Sequence, residues 1–267
     1  MLRPAPLHFV LESRVLISRV FFSCLVLCGL FALPLAAQPA IDGTLSDGDY
    51  TLLDDNSGGP ASGFGVGHEV NALYAYTDGA GDLTIGVAGN VQNGNRILVF
   101  FDTRAGGFND GSFGRGNAPQ GIDDWNAATT FDAGFDADYC LVIGTNGGGD
   151  YFWDLFDLAG DTNNFLGDQN DADLAASPAN SDLTQGFESR LSFNTTGVGV
   201  DLQVDDGMIQ LFAAYISDGG FLSNQFITPA GGADGNYGSG AITFGAASPD
   251  PVDFSGLPVE LQSFSVD

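Results

Sequence analysis

The sequence predicts an all-β protein: a jelly-roll-like β-sandwich, mainly antiparallel, with long Gly/Asp-rich loops. Three observations carry that expectation. Helical periodicity is nearly absent beyond residue 37, where short β-rich runs are separated by Gly, Asp and Asn clusters. The 39 glycines are too many for a helical protein of this size, and they lack the fixed period of collagen. Eight or more turn-punctuated strands need a partner sheet to bury their apolar faces, and a sandwich supplies one.

Residues 1–19 carry Arg3, Arg14 and Arg19, and the apolar run "VFFSCLVLCGLFAL" (20–33) and then "PLAAQPA" follow. A basic start, a short apolar core and small residues before a polar one describe a secretory signal peptide over 1–37, cleaved after Ala37. The run is shorter than the roughly 20 residues that cross a bilayer. No transmembrane helix is therefore expected after cleavage, and the protein is expected to be secreted or held at the cell surface.

The sandwich domain is expected over 38–248. Its clearest strands are "VNALYAYT" (70–77), "LTIGVAGNV" (83–91), "RILVFFDT" (96–103), "YCLVIGT" (139–145), "YFWDLFDL" (151–158), "FESRLSF" (187–193), "MIQLFAAYIS" (208–217) and "AITFG" (241–245). Segments around Tyr50–Leu53 and Phe221–Ile227 read as edge strands. Asn93-Gly94 is the favoured pair for a type I′ hairpin turn, which would place Ala88 opposite Val99, Val87 opposite Phe100 and Gly86 opposite Phe101. Ile97, Val99 and Phe101 point one way from that strand and Leu98 and Phe100 the other. A strand apolar on both faces is central in its sheet and covered on both sides. The tail, 249–267, has three prolines and reads as a linker with one terminal strand.

Two long irregular segments stand between strands, one over 104–127 and one over 166–186. A loop of such length in a compact domain is functional or disordered, so the first of them is where a site is expected. Trp125 could stack on a ligand, with Arg104, Arg115 and Asp124 as polar contacts. Trp153 alternates with Tyr151 and Leu155 and reads as core.

Removing Glu12 and three arginines with the signal leaves 33 acids against four arginines, a net charge of −29, and the chain has no lysine. That field repels nucleic acid and anionic membranes. Two physical readings account for it, and they are compatible. In one, the protein is haloadapted, and concentrated salt screens its surface. In the other it is loaded with calcium, a hard cation that prefers carboxylate oxygens. Thirty of the 34 acids are aspartates, which suit turns and short chelating loops. The candidate calcium ligands are Asp102, Asp110, Asp123, Asp132, Asp136 and Asp138, though no EF-hand pattern is present.

Catalytic patterns are missing. His68 is the only histidine beyond the signal, and there is no zinc motif or phosphate-binding loop. A nucleotide is not expected. Haem is not expected either, since Met208, the one possible axial partner of His68, starts an apolar strand. Cys140, alone after the signal, sits among strand formers and reads as a small buried hydrophobe.

The order "IDGTLSDGDY" (41–50), "VNALYAYTDGAGDLTIGVAGNVQNGNRILVFFDT" (70–103) and "GFESRLSF" resembles secreted DOMON-like domains related to family 9 carbohydrate-binding modules. These begin with an "IDG" strand and carry a strand ending in F-D-T. The resemblance implies a β-sandwich whose commonest roles are sugar or haem binding. The tail "LPVELQSFSVD" resembles the linker that precedes type IX secretion sorting domains. The expectation is a secreted, non-catalytic domain binding extracellular or cell-surface carbohydrate. The alternative is a structural or adhesive surface protein stabilised by salt or calcium.

Overall fold

A computed structural model describes residues 38–57, 59–77, 82–107, 129–131, 134–145, 150–158, 164–168, 174–193, 201–202, 208–227, 235–237, 242–244 and 252–255. The chain divides into two compact units, Met1–Ala37 and Gln38–Asp267, and every described residue lies in the second. Among the described residues no helix is long and apolar enough to cross a membrane.

The fold is an all-β sandwich of two mainly antiparallel sheets, as the sequence predicts. The first sheet runs in the order β1 (Thr51–Asp55), β2 (Glu69–Thr77), β3 (Asp82–Asn90), β10 (Gly186–Phe193) and β11 (Asp201–Leu202), with β9 (Leu174–Ala176) also paired to β10. The second runs β13 (Leu222–Ile227), β12 (Met208–Ile216), β4 (Arg96–Asp102), β6 (Tyr139–Thr145), β7 (Tyr151–Asp157) and β8 (Asn164–Asp168). In this sheet β15 (Val252–Ser255), from the segment read as a linker, pairs with the start of β12. The short strands β5 (Thr129–Phe131) and β14 (Ile242–Phe244) form a parallel pair of their own.

Side-chain alternation explains the layering. Ile97, Val99 and Phe101 of β4 join Tyr139, Leu141 and Ile143 of β6 and Leu211, Ala213 and Tyr215 of β12 in the core between the sheets. The opposite faces of the same strands, with Leu98, Phe100, Cys140, Val142, Phe212 and Ala214, build a second apolar cluster. Phe131 of β5 caps that cluster, with its ring centroid 5.3 Å from Phe100 and 5.7 Å from Phe212. The expectation that β4 is central and doubly covered is therefore met. Each aromatic buried this way contributes about 2 kcal/mol. Cys140 is fully buried, and burial pushes its thiol pKa well up, so it behaves as a hydrophobe. Trp153 is half-buried and packs against the inter-sheet core, 6.4 Å from Phe187.

The outer face of the first sheet is covered by the N-terminal segment. Leu45 packs with Ala72, Tyr74 and Ala88, joined by Tyr50 and Leu183. The "IDG" residues hold that segment down. Asp42 N donates to Glu188 Oε2 at 2.7 Å, Gly43 N donates to the same oxygen, and the Tyr50 hydroxyl donates to Oε1 at 2.5 Å. Gly43 has a φ of 84°, and a Cβ there would stand 2.5 Å from Ser177 N, so only glycine fits.

One expectation is corrected. β3 and β4 do not form a hairpin: β3 pairs with β2 and β10, whereas β4 pairs with β12 and β6. The turn itself is formed. Asn93 and Gly94 both have positive φ, 58° and 79°, and Asn95 N donates to Gln92 O at 3.0 Å. This is the conformation that a type I′ turn demands, but here it carries the chain from one sheet to the other. Turn chemistry is local, while strand pairing is decided by burial on both faces. A β4 with two apolar faces gains more between β12 and β6 than beside β3.

Candidate functional site

The structure places part of the sequence-predicted site at the root of the 104–127 loop. Asp138, just ahead of β6 and fully buried, accepts at Oδ2 from Thr103 N (2.8 Å), Thr103 Oγ1 (3.2 Å) and Arg104 N (2.8 Å). Its Oδ1 accepts from Arg104 Nε at 3.2 Å. Arg104 Nη2 reaches Asp157 Oδ1 at 3.0 Å, and the guanidinium lies 4.9 Å from the Tyr139 ring centroid. Asp102 Oδ2 accepts from Asp136 N at 3.1 Å. Asp102, Arg104, Asp136 and Asp138 are thus brought together, and the contacts tie the end of β4 to the approach to β6. Asp138 uses both oxygens on protein donors. Among the described residues no group of three or more His, Cys, Asp or Glu side chains is placed to hold a metal ion. Asp110, Arg115, Asp123, Asp124, Trp125 and Asp132 lie outside the described residues.

A different place carries a pocket with a largely polar lining. Where β13 at the edge of the second sheet meets the start of β2 in the first, a pocket of about 320 Å³ opens. Its walls are Asn56, Ser57 and residues 59–62 of the β1–β2 connection, Glu69 and Asn71 of β2, Ser181 and Leu183 of the covering segment, and Gln225 of β13. Among the described residues no basic side chain lines it.

Two irregularities frame this pocket. The β2–β3 register slips between Val70 and Ala72, leaving Asn71 as an extra residue. The β12–β13 register moves from Ala214–Phe226 to Ile216–Leu222, so residues 223–225 bulge out of the ladder. Such bulges re-aim side chains and concentrate beside functional sites. Here the second bulge turns two amides onto the β1–β2 connection. Asn224 Nδ2 donates to Ala61 O (3.0 Å), and Asn224 Oδ1 accepts from Gly63 N (2.8 Å). Gln225 Nε2 donates to Pro60 O (2.8 Å), and Gln225 Oε1 accepts from Asn56 Nδ2 (3.1 Å). Each amide uses both its donor and its acceptor, so the wall is held as if by another strand.

The other wall is fixed more sparingly. Ser181 N donates to Glu69 Oε2 at 2.6 Å, and Asn71 Nδ2 donates to Asp182 O at 3.1 Å. Ser181 holds a positive φ of 53° to make this contact. Among the described residues no partner engages Glu69 Oε1 or Asn71 Oδ1, so both acceptors are available at the pocket. The sequence did carry a signal for them. Glu69 and Asn71 are polar residues two apart at the head of an otherwise apolar strand, whereas the bulges have no local signature.

His68 stands next to this region but inside the fold. It is 7% exposed, with Nδ1 2.7 Å from the Tyr215 hydroxyl and 3.1 Å from Asn95 Nδ2. Burial lowers its pKa from the ordinary imidazole value and raises that of Tyr215.

Compared with known proteins, the chain matches no family, no curated sequence and no solved structure.

Proposed function

We propose that the protein is an exported, non-catalytic domain that binds neutral extracellular or cell-surface carbohydrate in the pocket between β2 and β13. The observation that carries this reading is the pocket's lining: amides, hydroxyls and one carboxylate, with Pro60, Ala61 and Leu183 as apolar surface and no basic group among the described residues. A sugar presents adjacent hydroxyls, each both donor and acceptor, beside apolar C–H patches. Glu69 Oε1 and Asn71 Oδ1 suit the hydroxyl donors, and the protein's negative field disfavours anionic ligands. The sequence resemblance to carbohydrate-binding domains points the same way, whereas the length of the 104–127 loop would put the ligand on Trp125. The pocket supplies an alternative location.

Calorimetric titration of a neutral oligosaccharide tests the proposal. Glu69→Ala and Asn71→Ala are each expected to weaken binding roughly tenfold, the worth of about 1.4 kcal/mol for one hydrogen bond. Full affinity in both variants would remove the pocket from the account.

A second reading is favoured by the acid load, a net −27 with no lysine. In it the domain is a structural or adhesive surface protein stabilised by salt or calcium, with no small ligand.

A further inference from the structure

We propose that Asn93 is a site of spontaneous deamidation, which installs a negative charge beside His68 at the turn joining the two sheets. Asn93 is exposed at the apex of that turn. Gly94 follows it and has no side chain to obstruct attack by its own nitrogen. A Cβ at Gly94 would meet nothing nearer than Asp218 at 3.8 Å, so the space beside its Cα is open. The Gly94 N–H makes no hydrogen bond among the described residues, because the turn is closed by Asn95 N.

The neighbouring histidine favours the reaction. Asp218 N donates to Asn95 Oδ1 at 3.3 Å, which turns Asn95 Nδ2 toward His68 Nδ1. An amide NH₂ only donates. Nδ1 therefore accepts, and the proton of the neutral ring sits on Nε2. Nε2 faces the Asn93 carboxamide, with Nδ2 at 3.4 Å. Two donors facing each other are a mismatch that rotation of this exposed carboxamide removes. The Nε2–H then donates to Oδ1 and draws electron density from Cγ.

The chemistry needs only water. Gly94 N bonds to Asn93 Cγ, the Cγ–Nδ2 bond breaks, and Nδ2 leaves as ammonia with the Gly94 amide proton. Water opens the resulting cyclic imide at either carbonyl, giving aspartate or isoaspartate. One water enters and one ammonia leaves. The new carboxylate stands within reach of the His68 Nε2–H. The isoaspartate product also lengthens the backbone at the one connection between β3 and β4.

The test is peptide mapping by mass spectrometry after incubating the full chain in mildly alkaline buffer, beside a urea-unfolded sample. The expected result is a one-unit mass gain and isoaspartate at position 93 in the folded chain, with Asn90 and Asn95 unchanged. Conversion is expected to be several-fold slower in His68→Gln. Asn93→Asp, which does not depend on the histidine variant folding, should raise the His68 pKa in an NMR titration. Asn93 intact in the folded chain after the unfolded sample has converted would overturn the site. Equal rates in His68→Gln, or a His68 pKa unmoved by Asn93→Asp, would overturn the role given to the histidine.

Discussion

The Glu188 carboxylate has no exposed surface, yet it sits on a strand facing the N-terminal segment that covers the first sheet. Burial raises its pKa, against the bonds from Tyr50, Gly43 and Asp42 that favour the charged form. The folded state therefore binds a proton here more readily than the unfolded chain. Glu188's contribution is full below the unfolded carboxylate value and is lost as pH rises through its folded pKa. Glu188→Ala leaves three donors without their acceptor. It is expected to cost about 3 kcal/mol in urea denaturation and to open residues 40–50 to hydrogen exchange. His68 has the opposite sign. Burial lowers its pKa, so stability is full above the ordinary imidazole value and is lost as pH falls below it toward the folded pKa. Urea midpoints across mildly acidic pH should fall for the native chain and change less for His68→Gln. An equal slope in the two proteins would show that His68 does not govern this window.

Among the elements, β4 is the most exacting, because it serves two cores at once. Phe100 is fully buried in the outer cluster against Phe131 and Phe212. Phe100→Ala is expected to cost about 3–5 kcal/mol in denaturant unfolding, and a cost near zero would mean that this outer cluster is not packed. Gly94→Ala, forced into a positive φ, should cost about 1–2 kcal/mol by the same measurement. The contrast between these two positions shows what the sequence could reveal. Double burial of residues 97–101 was legible because five apolar residues in a row have no solvent face to offer. The turn at Asn93-Gly94 was legible too, since it depends on two backbone angles. The pairing of β3 with β4 was not, because a turn of that conformation joins strands either within a sheet or across two. The strands β5, β8, β9 and β15 went unread because they are short and set among Asp, Gly and Pro. The Glu69 and Asn71 acceptors were visible as polar interruptions. The bulge at 223–225, which brings Gln225 to the pocket wall, depends on pairing with β12 and has no sequence mark.

For the whole molecule, the excess of carboxylates dominates. A net charge of −27 opposes the compact state through self-repulsion, and salt or bound cations relieve it. Thermal unfolding with EDTA, with millimolar calcium and with molar sodium chloride separates the two. Bulk screening predicts that sodium chloride raises the Tm while EDTA and calcium leave it unchanged. Specific calcium sites predict a calcium-dependent rise that EDTA removes. A Tm indifferent to all three would count against the structural reading of the acidity. The carbohydrate reading is separate from that outcome, since the β2–β13 pocket is held by amides and backbone groups. Its most direct test is a glycan array probed with the full chain and with a Glu69→Ala/Asn71→Ala double variant, each with calcium and with EDTA. The account predicts binding confined to neutral glycans and lost in the double variant. An array with no signal, or an equal signal from the double variant, would contradict it.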